Sequence, residues 1–446
     1  MEKLLAEKEY KLFFKYLAPA VTGTLAIGIL IFMDTVFIGR GVGAKGLAAL
    51  NIALPVFTFY CCIGYLLGMG GATIASIDEG RGLIENKKRI FTTCISIGII
   101  ISILFVVVQN IFLDELVRLL GAKGDIVPMA KSYLRVIVYA SGFYLMPHVL
   151  NPFLRNDNNP NLTMIGMIIC GIVNLVLDYV LIFHFKWGMV GAATATSTAQ
   201  LVYTLILCLH FFKKDRKLGL VKINVKIEDI KRIFTVGMPS FINEISSGIT
   251  VFLFNLYFFR LGGELSVAAY SIVININYLV YLIYLGVAQA IQPLVSYNYG
   301  SGKMERMKKF LSLGFGFNII YGCIVLIIFA TKSEGIIALF NSDNEVLRVL
   351  TGKNILKYFS ATIFMGINIV FATYVQAKGD GKASSVIMLS RAFLLIAVGI
   401  VILSKLFGIN GVWFATLFAE LITFVGIIAW LKLLKKSNID KELSHY

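Results

Sequence analysis

Seven residues carry the chemistry open to this chain: Asp34, Asn174, Asp178, Thr196, Glu244, Arg391 and Glu420. The five ionisable ones stand inside long apolar runs, where a charge costs at least about 2.5 kcal/mol to insert, so each is a functional candidate by default. Asn174 precedes Asp178 by four residues and shares its helix face. At 1.5 Å of rise per residue, Asp34 lies roughly 6–9 Å inside the end of its run. Asp178 and Thr196 fall in the same slice, about six and eight residues from the ends of theirs by the same rise. Two carboxylates, an amide oxygen and a hydroxyl form a hard-oxygen set that suits a proton or Na⁺ and suits soft metals poorly. Two carboxylates brought close in low dielectric also compete for one proton. The plainer alternative is a hydrogen-bonded cluster that only fixes helix packing.

Glu244 and Glu420 each lie about eleven residues into an apolar run, near its middle by helix rise. Arg391, about eight residues into another run, needs a partner on the same grounds. Two readings stand: an ion pair of Arg391 with Glu420 or Glu244, or a glutamate that faces a cleft and attracts cationic substrate. Tyr60, Tyr139, Tyr278 and Tyr281 are candidates to line such a cleft for flat aromatic cations. Trp187, Trp413 and Trp430, with His148, His184 and His210, fall near run ends and are expected at the membrane interface.

The elements that must position these residues follow from composition. Of 446 residues, 58% are hydrophobic and 15% charged, and the mean hydropathy is +0.82. Soluble domains carry roughly 25% charge. The apolar residues come in runs of the length that spans a bilayer as a helix. Spans are expected near 13–38, 47–76, 90–113, 128–150, 162–184, 188–212, 234–259, 265–297, 310–331, 355–377, 383–404 and 409–431. The net charge of +16 does not mark nucleic-acid binding, because the basic residues are scattered into short connectors. Most of the 41 Lys and Arg fall in the termini and the even-numbered connectors. Both termini are therefore expected in the cytoplasm, with the protein multi-pass in the cytoplasmic membrane. The segment Lys213 to Arg232 carries eight basic residues against Asp215, Glu228 and Asp229; it reads as a cytoplasmic linker attracted to anionic lipid. The six cysteines sit in apolar segments without CxxC spacing and read as small buried hydrophobes.

An internal repeat organises the spans. A shift of 220 residues places Pro19 on Pro239, Arg40 on Arg260, Gly43 on Gly263, Gly80 on Gly300, and Gly188 and Thr196 on Gly408 and Thr416. Each half holds an even number of spans, so the repeat is parallel, with its pseudo-two-fold axis along the membrane normal. The expected fold is all-α: twelve transmembrane helices in two pseudo-symmetric six-helix bundles. The domains are residues 1–212, a linker 213–232, and residues 233–446. Two bundles around one interface suit alternating access. No GxxxxGK[ST], HExxH or GxSxG occurs, so neither ATP-driven transport nor enzyme activity is expected, no cofactor is needed, and an ion gradient is the energy source.

The segment Met33-Asp34-Thr35-Val36-Phe37-Ile38-Gly39 resembles a signature of multidrug and toxic compound extrusion (MATE) transporters. Gly237-Met238-Pro239-Ser240, the Gly-rich end of the second span, and Arg155 to Pro160 between the fourth and fifth spans are similar to that family's pattern as well. The resemblance covers essentially the whole chain. It implies a first-bundle coupling site made by Asp34, Asn174, Asp178 and Thr196, driven by Na⁺, H⁺ or both. Other branches of the family use carboxylates on the seventh and tenth helices. Here Glu244 falls near the former, but the latter carries Ile367 and Asn368 and no acid.

The expected function is a cation-coupled antiporter, acting as a monomer among membrane lipids, that exports small organic cations or amphiphilic drugs. A flippase for a lipid-linked saccharide is the main alternative and a non-transporting scaffold the remote one. With Arg391 as the one basic residue placed in mid-span, the flippase is disfavoured, because holding pyrophosphate calls for several.

Overall fold

Without water in the bilayer core, backbone N–H and C=O groups must be satisfied inside each segment, and helices do this. The computed structural model of the chain describes residues 7–214, 216–340 and 344–443; Asp215 lies outside them. The first part runs through α1 (Glu9–Gly41), α2 (Ala44–Gly80), α3 (Ile84–Ile111), the short α4 (Leu113–Leu119), α5 (Ile126–Tyr139), α6 (Ser141–Asn156), α7 (Pro160–Asp178) and α8 (Gly188–Cys208). The second runs through α9 (Ile227–Gly300), α10 (Met304–Phe340), α11 (Glu345–Phe359), α12 (Thr362–Ala377), α13 (Gly381–Leu389), α14 (Leu395–Phe407), α15 (Ile409–Trp413) and α16 (Ala415–Leu443).

Among the described residues nine helical stretches are long and apolar enough to cross a membrane, or ten when α11 and α12, bent by 42°, count as one. The 74 residues of α9 would make a rod about 110 Å long, several times a bilayer's hydrocarbon thickness. The helix breaks at Gly263 (φ 65°, ψ −164°) and is two spans. Helices α5 and α6, which meet at Ala140, make one more. The architecture is thus the twelve-span all-α fold. The repeat is written into the backbone as well. Gly43 joins the first two spans at φ 85°, ψ −168°, nearly the angles of Gly263, a region that a Cβ makes costly. Gly82 and Gly302 (φ 82° and 71°) and Gly188 and Gly408 (φ 53° and 58°) repeat the pattern.

Two units form. The first comprises Met1–Ile245, Leu285–Leu311 and Tyr374–Lys382; the second comprises Ser246–Tyr284, Ser312–Thr373 and Ala383–Tyr446. In the first, α2 packs on α3 and α6, and α7 packs on α1 and α8. One apolar core gathers Leu66, Phe91, Phe153 and Tyr203; another gathers Ile38, Tyr60, Leu134 and Tyr144. Segments of α9 and α13 belonging to this unit meet α2 and each other with almost no side chain between. A Cβ on Gly237 would strike the Leu66 carbonyl oxygen, one on Gly300 that of Ile77, and one on Gly381 that of Thr235. Glycine is required at these close approaches because there is no room for anything larger.

The linker is tied down in the same unit. Asp157, in the turn between α6 and α7, accepts the backbone N–H groups of Lys217 (3.1 Å) and Leu218 (3.3 Å). The Leu218 side chain is buried in the first core. Buried Lys87 donates to Glu79 at 2.7 Å and to Asp157, and Lys217 Nζ lies 3.1 Å from Glu79. His210 Nε2 sits 2.8 Å from Asp157. Burial alone would raise the Asp157 carboxyl, but the hydrogen bonds and charges of His210 and Lys87 hold it well below the ordinary carboxylate range. His210 is therefore a buried hydrogen-bonding partner rather than the interfacial side chain that its position near a span end suggests.

In the second unit an aromatic stack of Phe254, Phe258, Tyr270, Tyr358 and Trp413 fills the core, with Phe258 and Trp413 centroids 4.4 Å apart. Aromatic pairs of this kind add about 0.5–1.5 kcal/mol each beyond area burial. Trp413 is 1% exposed, which corrects its reading as an interfacial anchor: its ring partners Phe258 and Tyr270 lie far away in sequence, so only folding reveals the stack.

Gly300→Val is expected to destabilise the protein by about 1–3 kcal/mol through overpacking, lowering the thermal unfolding midpoint of the purified protein. Gly316→Val, at a position with open space around its Cβ site, serves as the control and should change little. Asp157→Asn should free the linker, and limited trypsin digestion at Lys213 to Lys226 should then run at least about tenfold faster, since breaking a buried charge contact commonly costs 3–5 kcal/mol. Unchanged cleavage would show that the tie does not hold the segment.

Candidate functional site

Four of the sequence-selected residues come together in the first unit. Helix α1 brings Asp34, one face of α7 brings Asn174 and Asp178, and α8 brings Thr196. The Asn174 amide donates to Thr196 Oγ1 at 3.3 Å, and that hydroxyl donates to the Ala192 carbonyl at 3.0 Å. Asp34 and Asn174 are neighbours of the Asp178 carboxyl. Asp178 and Asn174 are fully enclosed and Asp34 nearly so.

Asp34 Oδ1 and both Asp178 oxygens have no hydrogen-bond donor among the described residues. The Asn174 NH₂ is directed at Thr196, and an ionised Asp34 has no proton to give. Two adjacent buried carboxylates without donors or counter-charge cost several kcal/mol per ion. The arrangement is relieved by a proton held between them or by a small hard cation on the four oxygens. The donor set fits Na⁺ chemically: two carboxylates, an amide carbonyl and a hydroxyl. Among the described residues no group of three or more His, Cys, Asp or Glu gathers as a metal centre.

Further residues shape this site and carry no signal in the sequence. Tyr133 of α5 and Tyr144 of α6 lie close enough to feel the Asp34 charge, and the Tyr144 hydroxyl is 3.1 Å from Ser197 Oγ. Directly after Asp178 the helix widens into a π-helical turn, Tyr179–His184. Such turns are rare and concentrate at functional positions.

A second polar centre lies in the second unit. Arg391 Nη2 donates to Glu420 Oε1 at 2.6 Å and Nε to Oε2 at 3.3 Å. Asn368 Nδ2 donates to Glu420 Oε2 at 2.7 Å and to the Glu420 carbonyl at 2.8 Å. All three are buried. Arg391 also lies in a π-helical turn, Ser390–Leu394. This forked pair is self-satisfied, unlike the two aspartates. Glu244 stands apart in the first unit, half-buried, with Asn243 Nδ2 3.4 Å from its Oε1 and Cys61 and Cys62 nearby. Of the tyrosines expected in a cleft, Tyr60 is fully buried and donates to Gln109, whereas Tyr139 is exposed.

Arg155 departs most from its sequence reading. Expected in a connector, it belongs to the last turn of α6 and is buried. Its guanidinium meets Gln289 and the Met69 sulfur, and its Nε has no hydrogen-bond partner. Lys131 and Arg135 also fall within the expected fourth span, as further charges beside the five singled out from the sequence.

A family model described as MatE matches residues 19–180 and 239–401, once in each half of the chain. The multidrug export protein MepA of Staphylococcus aureus is 28% identical over 419 residues, covering 92% of this chain and 91% of the relative. MepA of Staphylococcus saprophyticus is 27% identical over 429 residues, covering 95% and 94%. Among solved structures, the outward-facing conformation of a multidrug resistance MATE family transporter of the MOP superfamily superposes with a TM-score of 0.92 at 22% identity, over 98% of both chains. A MOP superfamily transporter from Pyrococcus furiosus, described as having a binding pocket of reverse polarity, gives 0.90 at 22% identity over 97% of both.

Glu420→Gln should strand the Arg391 guanidinium and lower stability by roughly 3–5 kcal/mol. Replacing both partners, Arg391→Met with Glu420→Leu, should recover most of the loss. Thermal unfolding of the purified variants reads both effects, and equal midpoints for Glu420→Gln and the parent would remove the structural role.

Proposed function

Because the chain belongs to the MatE family, we propose that it is a multidrug efflux antiporter exporting small organic cations or amphiphilic drugs in exchange for Na⁺ or H⁺. The observation that carries this reading is the pair of enclosed aspartates whose buried oxygens lack donors, in contrast to the Arg391–Glu420 pair, which is matched in charge. A purely structural cluster gains nothing from two uncompensated carboxylates, whereas a carrier needs a place that is stable only when loaded.

In the proposed cycle the coupling ion enters from outside and takes up the Asp34, Asn174, Asp178 and Thr196 oxygens. Loading removes the repulsion between the carboxylates and draws α1 toward α7. Pro19 lacks an N–H for the helix ladder, so α1 can bend there at low cost, and that movement releases drug outward. The return step requires the close glycine approaches of Gly237 and Gly300 to part. The asymmetry of Lys and Arg supports cytoplasmic termini in a cytoplasmic membrane, and nothing in the cycle calls for more than one copy of the chain.

One observation favours the flippase: buried Arg155 is a further basic group away from water, of the kind that holds a phosphorylated head group. Arg155→Gln separates the two readings. An antiporter of cations should retain export, whereas a flippase should lose lipid translocation.

Asp34→Asn and Asp178→Asn should each abolish efflux of a fluorescent cation from reconstituted vesicles, with normal amounts of folded protein. Imposing Na⁺ and pH gradients separately identifies the coupling ion. Full activity in both variants would overturn the site assignment.

A further inference from the structure

Away from the aspartate site, the first unit holds a cavity of about 320 Å³ lined by Asn110, Asp114, Lys131, Arg135 and Tyr139. Lys131, Arg135 and Tyr139 recur at four-residue spacing on α5 and so share one face. Arg135 lies nine residues beyond the first residue of α5, about 13 Å along the helix by its rise. Lys131 is matched by Asp114 at 2.5 Å. Among the described residues the Arg135 side chain has no hydrogen bond or ion pair, and the one acid lining the cavity, Asp114, is engaged by Lys131, with the Arg135 charge near enough to be felt there as well. The cavity therefore has an excess positive charge and a guanidinium whose donors are open.

The surroundings indicate what would supply the anion. Ile103, Val107 and Ile111 form an apolar stripe along α3, each more than half exposed, and Ile111 itself reaches the cavity. Tyr139 is 64% exposed beside it, an apolar ring with a polar tip suited to the boundary between hydrocarbon and head groups. A soluble anion would use the cationic end of this surface and leave the apolar stripe without an occupant.

We propose that this cavity binds the phosphate of an anionic phospholipid, with the Arg135 fork and Lys131 on the phosphate and the acyl chains along the Ile103–Val107–Ile111 stripe. Arg suits this role because its planar fork matches two phosphate oxygens. The site does not depend on the transport reading, and its test reads lipid retention alone.

The test is native mass spectrometry of the full-length protein released from nanodiscs of phosphatidylcholine doped with phosphatidylglycerol. The parent protein should retain phosphatidylglycerol over phosphatidylcholine. Lys131→Gln and Arg135→Gln should each lower that preference about fivefold, as expected for one basic residue near a membrane surface. Arg135→Lys, which keeps the charge and loses the fork, should retain most of it and guards against misfolding of the glutamine variant. Inorganic phosphate added to the nanodiscs should not displace the lipid. Equal retention of both lipids by the parent protein, retention unchanged in Lys131→Gln with Arg135→Gln, or displacement by inorganic phosphate would each overturn the proposal.

Discussion

In hydrocarbon every charge must find a partner inside the protein, because water is not there to solvate it. This constraint separates the polar centres of the chain into kinds. Arg391 and Glu420 satisfy each other with a fork of hydrogen bonds, and Asn368 completes the acid. Lys87, Glu79, Asp157 and His210 do the same around the linker. Asp34 and Asp178 are two like charges with no donor between them. The first two centres hold a structure together as they stand. The third leaves buried oxygens without partners among the described residues.

The surrounding architecture serves that difference. Asp178 directly precedes a π-helical turn, and Asp34 stands fifteen residues beyond Pro19 of its helix. Thr196 and Asn174, by contrast, are fixed by a hydrogen bond across α7 and α8. Glycine close approaches such as Gly237 on Leu66 and Gly300 on Ile77 let backbones meet without interlocking side chains, a form of contact that can separate without repacking a core.

Much of this was legible in the residues themselves. Apolar run lengths gave the spans, and the 220-residue shift gave the repeat, down to glycines that share positive φ at Gly43 and Gly263. Asp34 and Asp178 stood out because a charge in a long apolar run is conspicuous whatever the fold, and Asn174 and Thr196 followed from helix spacing and depth. Residues near run ends were misread for the complementary reason. Arg155, His210 and Trp413 sit where a helix could stop or continue, and a one-turn extension moves a side chain from solvent to core. Lys131 and Arg135 were overlooked because their span is interrupted and amphipathic, with α5 and α6 joined at Ala140.

The sequence by itself determined that this chain is a twelve-span, repeat-built membrane protein with a scarce set of internal charges, since hydrophobic length and periodicity are local properties. Only the tertiary structure decided which charges meet. Pairing Arg391 with Glu420, tying Asp157 to Lys87 and the linker, and leaving Asp34 and Asp178 facing each other all join residues from separate helices, 29 positions apart in the first case and more than a hundred in the last. Coulomb energy in low dielectric depends on distances of a few ångströms, and helix packing alone sets those.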